Sequence, residues 1–166
     1  EAVHRGWTRV YDDAGAHGWV YLCGSVAMAI VVYDAWFYWQ HRFLHRGWLF
    51  RHVHAVHHRV TNPTPFANFA AHPVETLMGT AYFFLLVMIV PMHPLALAAV
   101  SFHVFAWGTI AHLGYELYPR GFTRHPAFRW LNTATFHNMH HRHVTANYGL
   151  MFSFWDRVMR THHPAY

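Results

Sequence analysis

The sequence predicts an all-α fold in which integral membrane helices carry a histidine-rich helical cap on the cytoplasmic side. Three observations support this fold: long apolar regions, histidines at helical spacing next to them, and arginines that flank the apolar regions. Of the 166 residues, 54% are hydrophobic and 11% are charged, which is too apolar for an ordinary soluble domain. At this length we expect a single domain over residues 1–166.

The first apolar region runs from Trp19 to Trp39 and contains one charged residue, Asp34. Its length matches the ~20 residues that a helix needs to cross the hydrocarbon, and its aromatic end is typical of a membrane surface. A carboxylate at this depth needs a partner. Two roles are open for Asp34: it orients a histidine ring, or it makes a hydrogen bond to another helix.

The second apolar region runs from about Thr76 to Ala111 and is interrupted by prolines at 91 and 94. Each half is shorter than or close to the length of a full membrane span. We therefore predict a helical hairpin that dips into or just crosses the bilayer and returns. Arginines lie beyond both ends of this region, which places both ends on the cytoplasmic side.

Three groups of histidines have the spacing that places imidazoles on one face of a helix. The first group is His41 and His45, four residues apart. The other two groups share the i, i+3, i+4 spacing and comprise His54, His57, His58, His137, His140 and His141. His112, near the cytoplasmic end of the second apolar region, is a further candidate. A random scatter of the 19 histidines would rarely repeat one spacing, so we predict a metal site.

The number of candidate ligands predicts more than one ion. Imidazole binds zinc, copper, iron and nickel, so the ligand type alone does not name the metal. Eight or nine histidines exceed what one four- to six-coordinate ion can use, which favours two ions close together. We predict no catalytic side chain beyond this metal centre. Such a site beside an apolar interior suits the oxidation of an unreactive C–H bond in a lipid.

The charged and sulfur-containing residues exclude other classes of site. All 12 basic residues are arginine and the net charge is +5, but the arginines flank the apolar regions, so we expect no nucleic-acid partner. A docking surface for an acidic electron donor stays open. Cys23 is the only cysteine, which excludes a disulfide within the chain and thiolate metal sites of the zinc-ribbon or iron–sulfur type.

Further short motifs accompany the histidine groups in a fixed order. The complete series is His41-Arg-Phe-Leu-His45, Arg51-x-x-His54-x-x-His57-His58, Pro63-Thr64-Pro65, His72-Pro73-Val74-Glu75, His112-Leu-Gly-Tyr-Glu-Leu-Tyr-Pro119, His137-Asn-Met-His140-His141, Asn147-Tyr148-Gly149 and Trp155-Asp156-Arg157. From about Asp34 to Thr161, this series resembles the fatty acid hydroxylase and sterol desaturase superfamily of membrane di-iron enzymes. Several ordered motifs over most of the chain make the resemblance specific.

The resemblance implies a non-haem centre of two iron ions that uses O2 as co-substrate to hydroxylate or desaturate a lipid. Electrons would come from NAD(P)H through a reductase and a carrier of the cytochrome b5 or ferredoxin type. The matching motifs imply the ligands His41, His45, His54, His57, His58, His112, His137, His140 and His141. His72 and Glu75 are signature residues, and Glu75 would orient a ligand or tie its loop to the cap. The motif that begins at His112 favours the sterol desaturase side of the family, while a sterol, a fatty acyl chain, a sphingoid base, an alkylglycerol and a carotenoid all stay open as substrates.

Two departures from the family pattern bear on completeness and fit. Family members usually have further membrane helices ahead of the first histidine motif, and this chain begins at Glu1 rather than methionine. We therefore expect that N-terminal membrane helices are missing from it. Arg160 also stands where a glycine is common in the family.

Two other classes of protein stay open. A membrane metal transporter or store would place ionisable groups along a path through the bilayer, whereas these histidines cluster at predicted helix ends. A bis-histidine haem protein would need paired histidines at matching depth, and the sequence contains no such pair and no C-x-x-C-H motif. Both patterns therefore fit the chain less well than a di-iron enzyme does.

Overall fold

The computed structural model describes residues 6–166, so residues 1–5 of the predicted domain lie outside it, and it contains no β-strand in the described range. The helices are, in chain order, α1 Gly18–Leu44, α2 Gly47–Leu49, α3 Ala55–His58, α4 Pro73–Ile89, α5 Pro94–Ala111, α6 Ala134–His143 and α7 Phe154–Val158. A π-helical turn, Phe50–His54, joins α2 to α3, and short 3-10 turns occupy Pro65–Phe69 and Phe122–Arg124.

Helices α1, α4 and α5 pack together as an apolar bundle. Their contact is built from small and aromatic side chains, such as Ala29, Tyr82 and Val100, which are buried in one hydrophobic core. Large apolar side chains also cover the outside of the bundle, where Val20 is 90% and Phe102 is 72% exposed. An apolar exterior of this kind is typical of helices that face lipid.

Two of the three helices have the length and composition needed to cross a membrane. Helix α1 has 27 residues and α5 has 18, whereas α4 is an apolar helix of 17 residues. With the helical, histidine-rich region beyond their ends, these helices confirm the predicted fold class. The turn between α4 and α5 lies where the prolines predicted it, and both helices begin with a proline at their first position.

A non-helical segment, residues 144–153, lies between α6 and α7 and packs against α1. Asp34 joins the two, since its Oδ1 accepts hydrogen bonds from the backbone N–H groups of Met151 at 2.9 Å and Phe152 at 3.2 Å. The partner of Asp34 therefore differs from both expected ones: it is the backbone of a distant segment. This contact satisfies a carboxylate that is 3% exposed inside an apolar helix.

Arg160 has a backbone conformation that glycine adopts most readily. Arg160 has φ +55°, in the left-handed region that costs a side chain about 1–2 kcal/mol. The strained residue connects α7 to Thr161, whose N–H donates to the backbone carbonyl of Asp156 at 2.8 Å.

We expect Gly114→Ala to destabilise the fold by more than about 1 kcal/mol. Gly114 has φ +75°, and a Cβ there would collide with the backbone carbonyl of Pro63, which cannot move away cheaply. Gly24→Ala is the matched control, because Gly24 lies inside α1 with nothing within 4 Å of its Cβ position. Alanine should stabilise that helix. Thermal unfolding in detergent measures both, and equal unfolding temperatures for the two variants would contradict the expectation.

Candidate metal centre

All nine histidines predicted as ligands meet where α1 and α5 end, and they form two groups. The five-histidine cluster consists of His41, His45, His54, His58 and His140. The four-histidine cluster consists of His57, His112, His137 and His141. Within each cluster the candidate ligand nitrogens all lie within 4.8 Å of one another.

The Nε2 atoms of the five-histidine cluster converge on one point. Nε2 of His58 lies 3.2 Å from that of His45, 3.1 Å from that of His54 and 3.1 Å from that of His140. Nε2 of His41 lies 3.0 Å from that of His54. One ring nitrogen carries at most one proton, so hydrogen bonds cannot account for three such neighbours around His58.

The four-histidine cluster has the same construction. Nε2 of His112 lies 3.2 Å from that of His57 and 2.9 Å from that of His137. Nε2 of His141 lies 3.2 Å from that of His137. Helix α5 contributes one candidate ligand, His112, its C-terminal cap residue.

The opposite nitrogens identify the tautomer. Nδ1 of His41 lies 2.7 Å from the carbonyl of Tyr148, and Nδ1 of His54 lies 2.9 Å from a carboxylate oxygen of Glu75. Both partners only accept, so in the neutral ring the proton is on Nδ1 and a lone pair is left on Nε2. Two lone pairs 3.0 Å apart repel each other. A cation between them removes this repulsion.

Three other rings are fixed in the same way. Their Nδ1 atoms donate to backbone carbonyls, from His57 to Ala70 at 3.2 Å, from His112 to Gly108 at 2.7 Å and from His140 to Ala146 at 2.7 Å. A metal-binding histidine usually makes such a bond with its second nitrogen. The residues therefore fit the metal centre that the sequence predicts.

The spacing of the nitrogens indicates the coordination that they suit. At a metal–imidazole distance of about 2.1 Å, neighbouring ligands lie about 3.0 Å apart in an octahedral site and about 3.4 Å apart in a tetrahedral one. The Nε2 separations of 2.9–3.2 Å run from the octahedral value to midway between the two, so they are compatible with ligands of one ion in each cluster. The five-histidine cluster offers more ligands than a tetrahedral ion can use, so it is suited to an ion of higher coordination number.

Burial keeps the imidazoles neutral. Burial, together with the neighbouring histidines, lowers the pKa of His58 to about 2 and the pKa values of His45 and His141 to about 3. The same two causes hold the pKa values of His57 and His140 well below the ordinary value. Neutral imidazole is the form that binds a metal, so the site is competent at neutral pH.

The other residues singled out from the sequence have different positions. Glu75 contacts the five-histidine cluster through His54. His72 caps the N-terminus of α4, where its Nδ1 accepts from the N–H of Val74 at 3.2 Å. The backbone carbonyls that hold the rings could not be found from the sequence, because a carbonyl carries no residue-type signal.

A cavity of ≈ 480 Å³ lies between α1, α4 and α5 and reaches both clusters. The histidines in its wall are His41, His54, His57, His112 and His137. Its apolar wall includes Tyr33, Phe37, Leu44, Phe83, Val104, Phe105 and Leu150. A cavity of this size and character suits an apolar small molecule.

Comparisons with known proteins agree with the site. The family model described as fatty acid hydroxylase matches residues 26–161. Lathosterol oxidase of Rattus norvegicus is 33% identical over 93% of this chain and 50% of its own length. Methylsterol monooxygenase 1 of Danio rerio is 33% identical over 91% of this chain and 51% of its own length. A delta(7)-sterol 5(6)-desaturase of Gibberella zeae is 30% identical over 95% of this chain and 47% of its own length.

The chain spans about half the length of the curated relatives that it matches. No solved structure matches it. The family model covers the histidine groups, Glu75 and the segment that Asp34 binds, so the match includes every part of the candidate site. The resemblance expected from the ordered motifs is thereby confirmed, and the chain belongs to the fatty acid hydroxylase family.

Proposed function

We propose that this chain forms the catalytic part of a membrane-bound non-haem di-iron oxidoreductase that hydroxylates or desaturates a lipid. One observation carries the proposal: two clusters of unprotonated histidine nitrogens stand at the end of an apolar cavity inside a bundle with an apolar exterior. The names of the relatives support an oxidative reaction on a sterol-like lipid.

Iron is the metal that fits this reaction. Zinc has no redox chemistry, so it could not carry out this oxidation. Imidazole also binds iron, which is redox-active. Bound iron would supply the activation of O2 and the removal of hydrogen from an unreactive C–H bond. The chain's own residues would do the rest. The hydrogen bonds to Nδ1 orient the rings, and the cavity wall positions the lipid and excludes water from the site.

The proposed surroundings follow from the arginines and the apolar helices. With α1 and α5 in the membrane, the histidine clusters would lie on the cytoplasmic side, because the arginines of residues 42–59 and 120–160 accompany that end of the bundle. Electrons from NAD(P)H would arrive through a reductase and a carrier of the cytochrome b5 or ferredoxin type. The positive surface would favour an acidic carrier.

The first test is the metal content of the detergent-purified chain after anaerobic reconstitution with ferrous iron. We expect two irons per chain, and a loss of iron in both His57→Ala and His140→Ala, which remove one ligand from each cluster. His52→Ala is the matched control, because His52 is exposed and stacks on Trp48 outside both clusters. Mass spectrometry measures the iron. A wild type without iron, or cluster variants that retain it like His52→Ala, would refute the proposal.

A second test concerns the carboxylate on His54. We expect Glu75→Gln to lower metal affinity roughly 10- to 100-fold, because the amide keeps the shape but not the charge that supports the ring. Glu116→Gln is the control: Glu116 binds the backbone and hydroxyl of Thr135 and contacts no cluster histidine. Competition with a chelator measures affinity, and equal affinities in the two variants would argue against a role for Glu75.

A third test fills the cavity. Gly79 lines it, and a Cβ there meets only the Gln40 side chain, at 3.9 Å. We expect Gly79→Leu to reduce lipid oxidation roughly 10-fold or more with unchanged metal content. Gly24→Leu adds the same side chain where nothing lies within 4 Å, and should leave turnover unchanged. Oxidised lipids are measured by mass spectrometry in cells that express each variant, and full turnover in Gly79→Leu would exclude this cavity as the substrate site.

A further inference from the structure

Two rings of the five-histidine cluster depend on one non-helical segment. The carbonyl of Tyr148 accepts the Nδ1 proton of His41 at 2.7 Å, and the carbonyl of Ala146 accepts that of His140 at 2.7 Å. Both carbonyls belong to the segment 144–153 between α6 and α7. Whatever fixes this segment therefore fixes the orientation of two cluster histidines.

Two buried carboxylates hold the segment. Asp156, 0% exposed, accepts the N–H of Tyr148 on Oδ1 at 2.9 Å and the N–H of Gly149 on Oδ2 at 2.7 Å. Asp34 accepts the N–H groups of Met151 and Phe152 on its Oδ1 alone. Four of the five backbone N–H groups from 148 to 152 thus donate to a carboxylate.

The bond to Gly149 has a consequence beyond anchoring. The N–H of Gly149 and the carbonyl of Tyr148 belong to the same peptide group. A carboxylate on the N–H side polarises that group and makes its carbonyl a stronger acceptor for the Nδ1 proton of His41. The negative charge of Asp156 therefore reaches the His41 ring through one peptide, and a stronger acceptor at Nδ1 makes Nε2 a better metal ligand.

The contacts at this peptide leave little freedom. A Cβ at position 149 would lie 2.6 Å from the carbonyl oxygen of Phe152 and 2.8 Å from Oδ2 of Asp156, so only glycine fits. Thr161 also donates to Oδ1 of Asp156 at 2.8 Å. The carboxylate is thus fixed from several sides and cannot turn away from the peptide.

The four-histidine cluster has no such support. Its identified Nδ1 partners are the carbonyls of Ala70 and Gly108, which lie outside the segment 144–153. Among the residues that the structure describes, Nδ1 of His137 has no hydrogen-bond partner. A change in the segment should therefore affect one cluster and spare the other.

We propose that Asp156, assisted by Asp34, is a positioning residue that selectively strengthens metal binding in the five-histidine cluster through the Tyr148–Gly149 peptide. The inference rests on the proposed function, since it requires that each cluster holds an ion. Neither carboxylate contacts a cluster histidine directly.

The test compares metal content and affinity in Asp156→Asn and the wild type, with ferrous iron or cobalt as the probe and a competing chelator. Asparagine places an NH2 group against an N–H donor, so we expect affinity at the five-histidine cluster to fall roughly 10-fold or more, and the content to fall from two ions to one. The double variant Asp156→Asn/His45→Ala should still hold one ion, because both changes affect the five-histidine cluster. The double variant Asp156→Asn/His141→Ala should hold none, because the second change affects the four-histidine cluster.

Two controls separate positioning from general loss of stability. Val100→Ala removes packing from the bundle core and takes away no hydrogen bond of the segment, so it should keep both ions at a reduced unfolding temperature. Asp34→Asn retains an Oδ1 acceptor and should also keep both ions, whereas Asp34→Leu should lose one. The Asp34 pair provides the test if Asp156→Asn does not fold.

The outcomes are distinct. A wild type without metal refutes the proposed function itself. A wild type with two ions, beside an Asp156→Asn variant that also holds two with unchanged affinity, refutes only this inference. Equal losses from both clusters in Asp156→Asn refute it as well, because they show a general structural role. If Asp156→Asn does not fold, two ions in Asp34→Leu refute the inference.

Discussion

The convergence of unprotonated histidine nitrogens is the constraint on which the rest of the structure depends. Lone pairs such as those of His41 and His54, 3.0 Å apart, repel each other, and burial removes the water that would separate them. The fold must therefore hold each ring from its other side. The carboxylate of Glu75, in the first turn of α4, and several backbone carbonyls do so.

Helical geometry distributes the histidines between the two clusters. His54 and His58, four residues apart, enter the five-histidine cluster, whereas His57 between them enters the other. On α6 the assignment is reversed, since His137 and His141 join the four-histidine cluster and His140 the five-histidine one. Residues at i and i+4 lie about 40° apart around a helix, and i+3 lies about 60° to the other side. Each H-x-x-H-H motif thus contributes ligands to both clusters.

The sequence indicates the candidate ligands more readily than their arrangement. Spacing is a local property, so the pair His41 and His45 and the two i, i+3, i+4 groups can be recognised in the sequence, as can the apolar helices. The division into two clusters depends on how separate helices face one another, which no local pattern encodes. The same holds for Asp34, whose partners lie 117 and 118 residues away, and for the π-helical turn Phe50–His54 before the second histidine group. At Arg160, the departure from the family pattern coincides with a left-handed backbone conformation.

The two clusters differ chemically on the side that faces the cavity. Two histidines of the five-histidine cluster, His41 and His54, line the cavity. They are also the two that a carboxylate supports, Glu75 directly on His54 and Asp156 through one peptide on His41. Negative charge behind a ring strengthens it as a ligand and stabilises a more highly charged ion in front of it. The chain thus concentrates its ligand-strengthening charge on the side of one cluster where an apolar substrate would lie, so two ions bound here would not be equivalent.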